Sequence, residues 1–158
     1  MADDKKEMIK AKLAATREAF LHTVDDLTAE QWETMAYSEG SEWRVIDLMR
    51  HVTDSERGQL GLMMLIKGGG EGVSADFDLT RWNQRVVTKL GDKGPQELMD
   101  SMAQNRAALL AFIDTLEEED WAKKGRHASL YIMSIEEVCH LIADHEALHL
   151  GNIREAVG

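Results

Sequence analysis

Pro95 is the only proline in the 158-residue chain, so long backbone ladders can run unbroken on either side of it. β-branched and aromatic residues are sparse beside Ala, Leu, Met, Glu and Lys, a balance that favours helix over strand. From about residue 3 to residue 27, Ile9, Leu13, Phe20, Val24 and Leu27 form one stripe at helical spacing behind an acidic first turn. Thr28-Ala29-Glu30-Gln31 has the spacing of a capping box and predicts a short helical turn, with residues 37–40 read as loop. Ser41 is the expected cap of a second long helix, which buries Val45, Leu48, Met49, Val52, Met63 and Ile66 and stops at Gly68-Gly69-Gly70.

Leu79, Trp82, Val86 and Leu90 predict a shorter helix over residues 78–90. Pro95 itself falls where its missing N–H does least harm, at the start of a helix facing inward with Leu98, Met102, Leu109, Phe112 and Leu116. The acidic stretch 117–120 ends that helix. Ser134-Ile135-Glu136-Glu137 is a second capping box, opening a last helix with Ile135, Val138, Ile142, Ile153 and Ala156 on one stripe. The expected fold is all-α: one domain over residues 1–158, a four-helix bundle with a short extra helix between helices two and three. The pattern Leu-x-x-Glu-x-Trp occurs twice, at residues 27–32 and 116–121, each time after a long helix. It is either a coincidence of a Glu-rich chain or the mark of a two-hairpin construction.

Charge and cysteine content narrow the function classes. The chain has 18 basic and 29 acidic side chains, a formal charge of −11, which opposes any unspecific grip on nucleic acid or anionic lipid. Basic stripes, recognition-helix patterns and zinc-finger spacings are absent from the sequence. One cysteine, Cys139, allows no internal bridge. With no leader pattern and no apolar run of bilayer length, the chain reads as a soluble cytoplasmic protein. The triple glycine lacks the preceding strand and following Lys-Ser/Thr of a phosphate loop.

The histidines carry the chemistry. At about 100° per residue, His145 and His149 fall roughly 40° apart inside the apolar arc of the last helix, and imidazoles at this spacing converge on one metal ion. His140 lies about 140° from His145 and cannot join them. His51, bordering the apolar arc of the second helix, is the better third candidate, while His22 and His127 read as solvated. Three imidazoles leave coordination positions open, as in a catalytic site. His145-Glu146-Ala147-Leu148-His149 also matches His-Glu-x-x-His, in which Glu146 is the candidate general base. The downstream ligand of such proteases is missing, however, with nine residues left after His149. Glu56 falls inside the apolar arc of the second helix, so it needs a partner, either behind a ligand or at a contact between subunits. Cys139 flanks the stripe of the last helix and reads as a core thiol.

Three stretches resemble the DinB-like superfamily of metal-binding bundles, which includes thiol-dependent S-transferases and maleylpyruvate isomerases. They are Trp43 to His51 followed by Asp54 and Glu56, Asp144 to His149 with Ile153, and Phe77 to Val87 with Trp82-Asn83. The resemblance implies a four-helix bundle that is commonly a homodimer, with His51, His145 and His149 holding a divalent metal, zinc or nickel, and a low-molecular-weight thiol as cosubstrate. It implies thiol transfer to a small electrophile; the alternatives are metal-dependent hydrolysis or a metal-binding protein without turnover. Residues 125–133 depart from the family pattern, lacking a Pro- and Gly-containing loop before the last helix.

Overall fold

The computed structural model describes residues 2–158. Four long helices form the bundle: α1 (Ala2–Val24), α3 (Val45–Lys67), α5 (Pro95–Asp114) and α6 (Ile135–Val157). The one-turn helix α2 (Ala29–Trp32) follows α1, and α4 (Leu79–Lys89) is the expected short helix between the second and third long ones. α1 packs on α6, and α3 lies against both α5 and α6. On the long helices the stripes predicted from periodicity lie on the buried faces: Ile9, Leu13, Met63, Leu109 and Ile142, joined by Ile113, fill one end of the core, while Phe20, Leu48, Met49, Leu98, Met102 and Ile153 fill the other. On α4 the predicted stripe is not a buried face, since Val86 is buried but Leu79 and Trp82 are exposed. Each fully buried aliphatic side chain stabilises the fold by roughly 1.5–3 kcal/mol relative to exposure.

Both capping boxes form. Thr28 accepts from the Gln31 amide at 3.1 Å while Gln31 returns the bond at 2.9 Å. Ser134 and Glu137 do the same at 3.1 and 2.9 Å. The glycine run is a helix stop: Gly68 caps α3, and Gly69 takes a left-handed φ of +97°.

Two local expectations are corrected. Within residues 37–40 only Glu39 and Gly40 are turn, Tyr37 and Ser38 being strand, and Ser41 is no helix cap, because β1 (Met35–Ser38) and β2 (Ser41–Arg44) pair as an antiparallel hairpin. Glu39 and Gly40, at φ +50° and +85°, make the tight turn whose twist matches the strands, and α3 begins only at Val45. A second hairpin, β3 (Lys124–Arg126) with β4 (Ile132–Ser134), occupies the segment that departs from the family's loop pattern. Gly72 anchors the α3–α4 connection to it. The Gly72 backbone bridges to Arg126 at φ +94°, and a Cβ there would stand 2.3 Å from the Arg126 amide nitrogen.

The repeated Leu-x-x-Glu-x-Trp pattern marks a structural repeat. In each half a long helix leads to a capped turn ending in a buried tryptophan, Trp32 or Trp121, then a two-stranded hairpin, then a second long helix without a linker. The first amide of that second helix donates to the carbonyl two residues beyond the tryptophan in both cases: Val45 to Thr34 at 2.9 Å, and Ile135 to Lys123 at 3.0 Å. The two halves thus dock α3 and α6 with the same local device.

Candidate metal centre and its cavity

α3 supplies His51, and α6 supplies His145 and His149 one turn apart. Their ligand nitrogens all lie within 4.8 Å of one another. His145 Nε2 is 3.1 Å from His51 Nε2 and 3.0 Å from His149 Nε2. The rings meet edge to face, with interplanar angles of 71°, 85° and 87°, so the three nitrogens converge while the ring bodies diverge. Imidazole nitrogens about 2.0–2.1 Å from one tetrahedral ion stand about 3.3 Å apart, which is close to this spacing.

Protonation agrees with a ligand role. Burial pushes the His51 imidazole down to about 4, helped by its histidine neighbour. Burial also holds His145 well below the ordinary imidazole range and lowers His149, so all three are neutral near pH 7. Behind the cluster, His149 Nδ1 lies 3.1 Å from Asn152 Oδ1 and 3.3 Å from Ser38 Oγ on β1. The Asn152 oxygen can only accept, so it takes the Nδ1 proton and leaves the His149 Nε2 lone pair facing the other two rings. The first hairpin, invisible to helical periodicity, therefore brings a group to the centre.

The rings divide two spaces. A cavity of about 380 Å³ is lined by His51 and His145, while a small pocket of about 70 Å³ is lined by His51 and His149. Among the described residues, no fourth His, Cys, Asp or Glu joins the ligand group. Three neutral imidazoles with free space beside them suit zinc, nickel, copper or iron and leave room for an exogenous ligand.

Glu146 is not brought to this space. It is 2% exposed and does not line the cavity. Its carboxylate accepts from Thr16 Oγ1 at 3.0 Å and Arg17 Nε at 2.9 Å on α1. Arg17 also reaches Glu56 at 2.9 Å, and Arg106 donates to Glu56 at 2.8 Å, so two arginines and two glutamates from all four long helices form one buried ion-pair cluster. This resolves Glu56 as well: its partners are core arginines. Two carboxylates do line the cavity, Glu39 on the turn of the first hairpin and Asp54, one turn beyond His51 and paired with Arg57 at 2.9 Å.

His127 is not solvated, contrary to the reading of its Gly-Arg-His context. It is 8% exposed and lines the cavity, because the β3–β4 hairpin folds back over α3. No periodic signal surrounds it in the sequence. His22 is exposed as expected, and His140 turns away to accept from Lys12 at 3.3 Å. Cys139 is fully buried against Met63, with burial pushing its thiol up to about 12, which fits a core role.

Three histidines from two helices of a four-helix bundle thus converge as a candidate metal centre. The chain belongs to the DinB superfamily, whose pattern residues 7–153 match. No curated protein matches it in sequence. Among solved structures, it is similar to YfiT from Bacillus subtilis, described as a probable metal-dependent hydrolase with an unusual four-helix bundle topology (18% identity, TM-score 0.79, 96% of this chain and 85% of that one). It is also similar to the mycothiol-dependent maleylpyruvate isomerase (13% identity, TM-score 0.75), covering 97% of this chain but spanning 60% of that protein. A third likeness is to an uncharacterised Escherichia coli UTI89 protein (9% identity, TM-score 0.75, 96% and 91% coverage). These superpositions show the shared fold. No described helix is long and apolar enough to cross a membrane.

Proposed function

We propose that the protein is a metal-dependent enzyme in which His51, His145 and His149 hold a divalent ion, zinc or nickel, and a small thiol is transferred to an electrophile in the adjoining cavity. The observation that carries this reading is the convergence of three neutral Nε2 atoms beside a cavity of about 380 Å³ that His51 and His145 line, with no fourth protein ligand joining the group among the described residues. A divalent ion held there supplies, when bound, a lowered pKa for a thiol or water at neutral pH.

The chain's own residues supply the remainder. Asn152 and Ser38 fix the ring of His149, and burial keeps the three imidazoles unprotonated. Asp54, beside His51 and lining the cavity, is placed to accept the thiol proton, the role that the His-Glu-x-x-His pattern had offered to Glu146. With a chloro-dinitroarene as acceptor, the thiol sulfur forms the new C–S bond, the C–Cl bond breaks, chloride leaves and the proton passes to Asp54 and then to solvent. The bundle's share of the chemistry is to exclude water and orient the two reactants.

The test is elemental analysis of natively purified protein, followed by turnover of chloro-dinitrobenzene with a panel of bacillithiol-, mycothiol- and glutathione-like thiols. Stoichiometric metal and metal-dependent thioether formation are expected. Full metal occupancy without turnover of any thiol, but with hydrolysis of activated esters, would replace transfer by hydrolysis. A metal-loaded protein inert in both assays would leave binding without catalysis.

A further inference from the structure

The cavity has a charge bias of its own. His127, on its wall, is held in one tautomer. The Ser129 amide donates to His127 Nδ1 at 3.0 Å, so the ring proton sits on Nε2 and is donated to Gln59 Oε1 at 3.0 Å. Gln59 in turn donates to Ser55 Oγ at 3.1 Å. Burial keeps the His127 imidazole below its ordinary range, so this wall consists of neutral dipoles fixed in direction. Gln59 keeps one amide proton and one lone pair for a visitor, and Asn83 adds a second amide. The apolar part is equally defined: the rings of Phe77 and Trp82 lie 5.9 Å apart at a tilt of 46°, and Trp82 is 45% exposed.

Among the described residues no lysine or arginine lines the cavity, whereas the carboxylates of Glu39 and Asp54 do. Arg57 answers Asp54 from solvent, but Glu39 makes no ion pair among the described residues. Beside Phe77, Trp82, Gln59 and Asn83 a carboxylate or phosphate would lose water with no lysine or arginine on the wall to offset the loss, and in the metal-free protein it would also meet the like charge of Glu39 and Asp54.

We propose that the small molecule taken into this cavity has an uncharged or cationic body: a ring seated against Phe77 and Trp82, with a neutral hydrogen-bonding head on Gln59 and Asn83. Ligands with a carboxylate in that body are selected against. The inference rests on the proposed function only for the identity of the cavity as the substrate site. It narrows the thiols and electrophiles expected there to those without acidic groups away from the reacting atoms.

The experiment is calorimetric titration of naphthamide, naphthoate and naphthylmethylammonium, which share one ring system, into the protein as purified and after chelation, with helical CD checked in both forms. In the chelated protein, naphthamide and naphthylmethylammonium are expected to bind roughly ten-fold tighter than naphthoate. Glu39→Gln, on an exposed turn, is expected to narrow that gap. Equal or tighter binding of naphthoate by the chelated protein, no binding of naphthamide by either form, or a gap that Glu39→Gln leaves unchanged overturns the proposal. Metal content measured on the same preparations tests the other reading separately. Protein purified without metal that still prefers naphthamide keeps this inference and removes the metal centre; fully loaded protein whose chelated form shows no preference does the reverse.

Discussion

Arg17 Nε donates to Glu146 Oε2 at 2.9 Å, joining α1 to α6 at the residue next to His145. The side chains are 11% and 2% exposed, so neither charge can recover water if the other is removed. Glu146→Ala is therefore expected to cost about 3–5 kcal/mol of stability, the usual penalty for breaking a buried ion pair, because it leaves the two buried arginines only Glu56 to share. Urea denaturation measures it. Glu146→Gln, which keeps the shape, should retain metal at full stoichiometry. Loss of turnover in Glu146→Gln with metal and fold intact would instead make the carboxylate a participant in the chemistry.

His51→Ala removes the one ligand that α3 provides. Helical CD should be unchanged, because the core of α3 rests on Leu48, Met49, Val52 and Met63 rather than on this ring. Metal affinity should fall more than the roughly 10–100-fold typical of losing a group behind a ligand. Equilibrium dialysis against zinc gives the number, and wild-type affinity in the variant would remove His51 from the centre.

Asn152→Leu tests the group behind His149. Without its acceptor the ring is free to turn and to carry its proton on Nε2, the atom that faces His145. A decrease of roughly 10–100-fold in zinc affinity is expected, smaller than for His51→Ala. Ser38→Ala, removing the longer of the two contacts at 3.3 Å, should have the lesser effect.

The buried imidazoles make the metal-free protein acid-sensitive. His51 titrates at about 4 in the fold against 6.5 when free, so between those values the unfolded chain binds more protons and stability rises with pH. The contribution is complete above the unfolded value and lost as pH falls toward the folded one. For His51 alone this is on the order of 3 kcal/mol, and His145, His149 and His127 act in the same direction. Denaturation midpoints of chelated protein should drop as pH is lowered through this window, with a shallower slope in His51→Gln. Added zinc should raise the midpoint near neutrality and lose its effect in acid, because protons compete for the same nitrogens.

Helices were legible in the sequence because their stripes persist for five or six turns, and the pair His145–His149 because i and i+4 share one face. His51 could be read from its place on an apolar arc. The hairpins could not, since strands of three or four residues leave too few alternations to see against helical neighbours. His127 was lost with its hairpin. The role of Glu146 was hidden for a different reason: its partner Arg17 stands 129 residues away, and no local pattern encodes that meeting. Glu56 was legible halfway, as a carboxylate on an apolar arc that needed a partner, but the partner was sought behind a ligand or at a contact between subunits rather than in the core arginines Arg17 and Arg106.

The repeated tryptophan turn gives the histidine cluster a particular address. One ring comes from the first helix–turn–hairpin–helix unit and two from the second, so the cluster lies on the seam between them and neither unit owns it. Whatever occupies that seam registers the docking of two halves rather than the folding of either. Fragments divided near Gly94 would each retain their own capped turn and hairpin, and only their reassembly would restore the three-nitrogen site, which makes ligand capture a direct gauge of complementation between the halves.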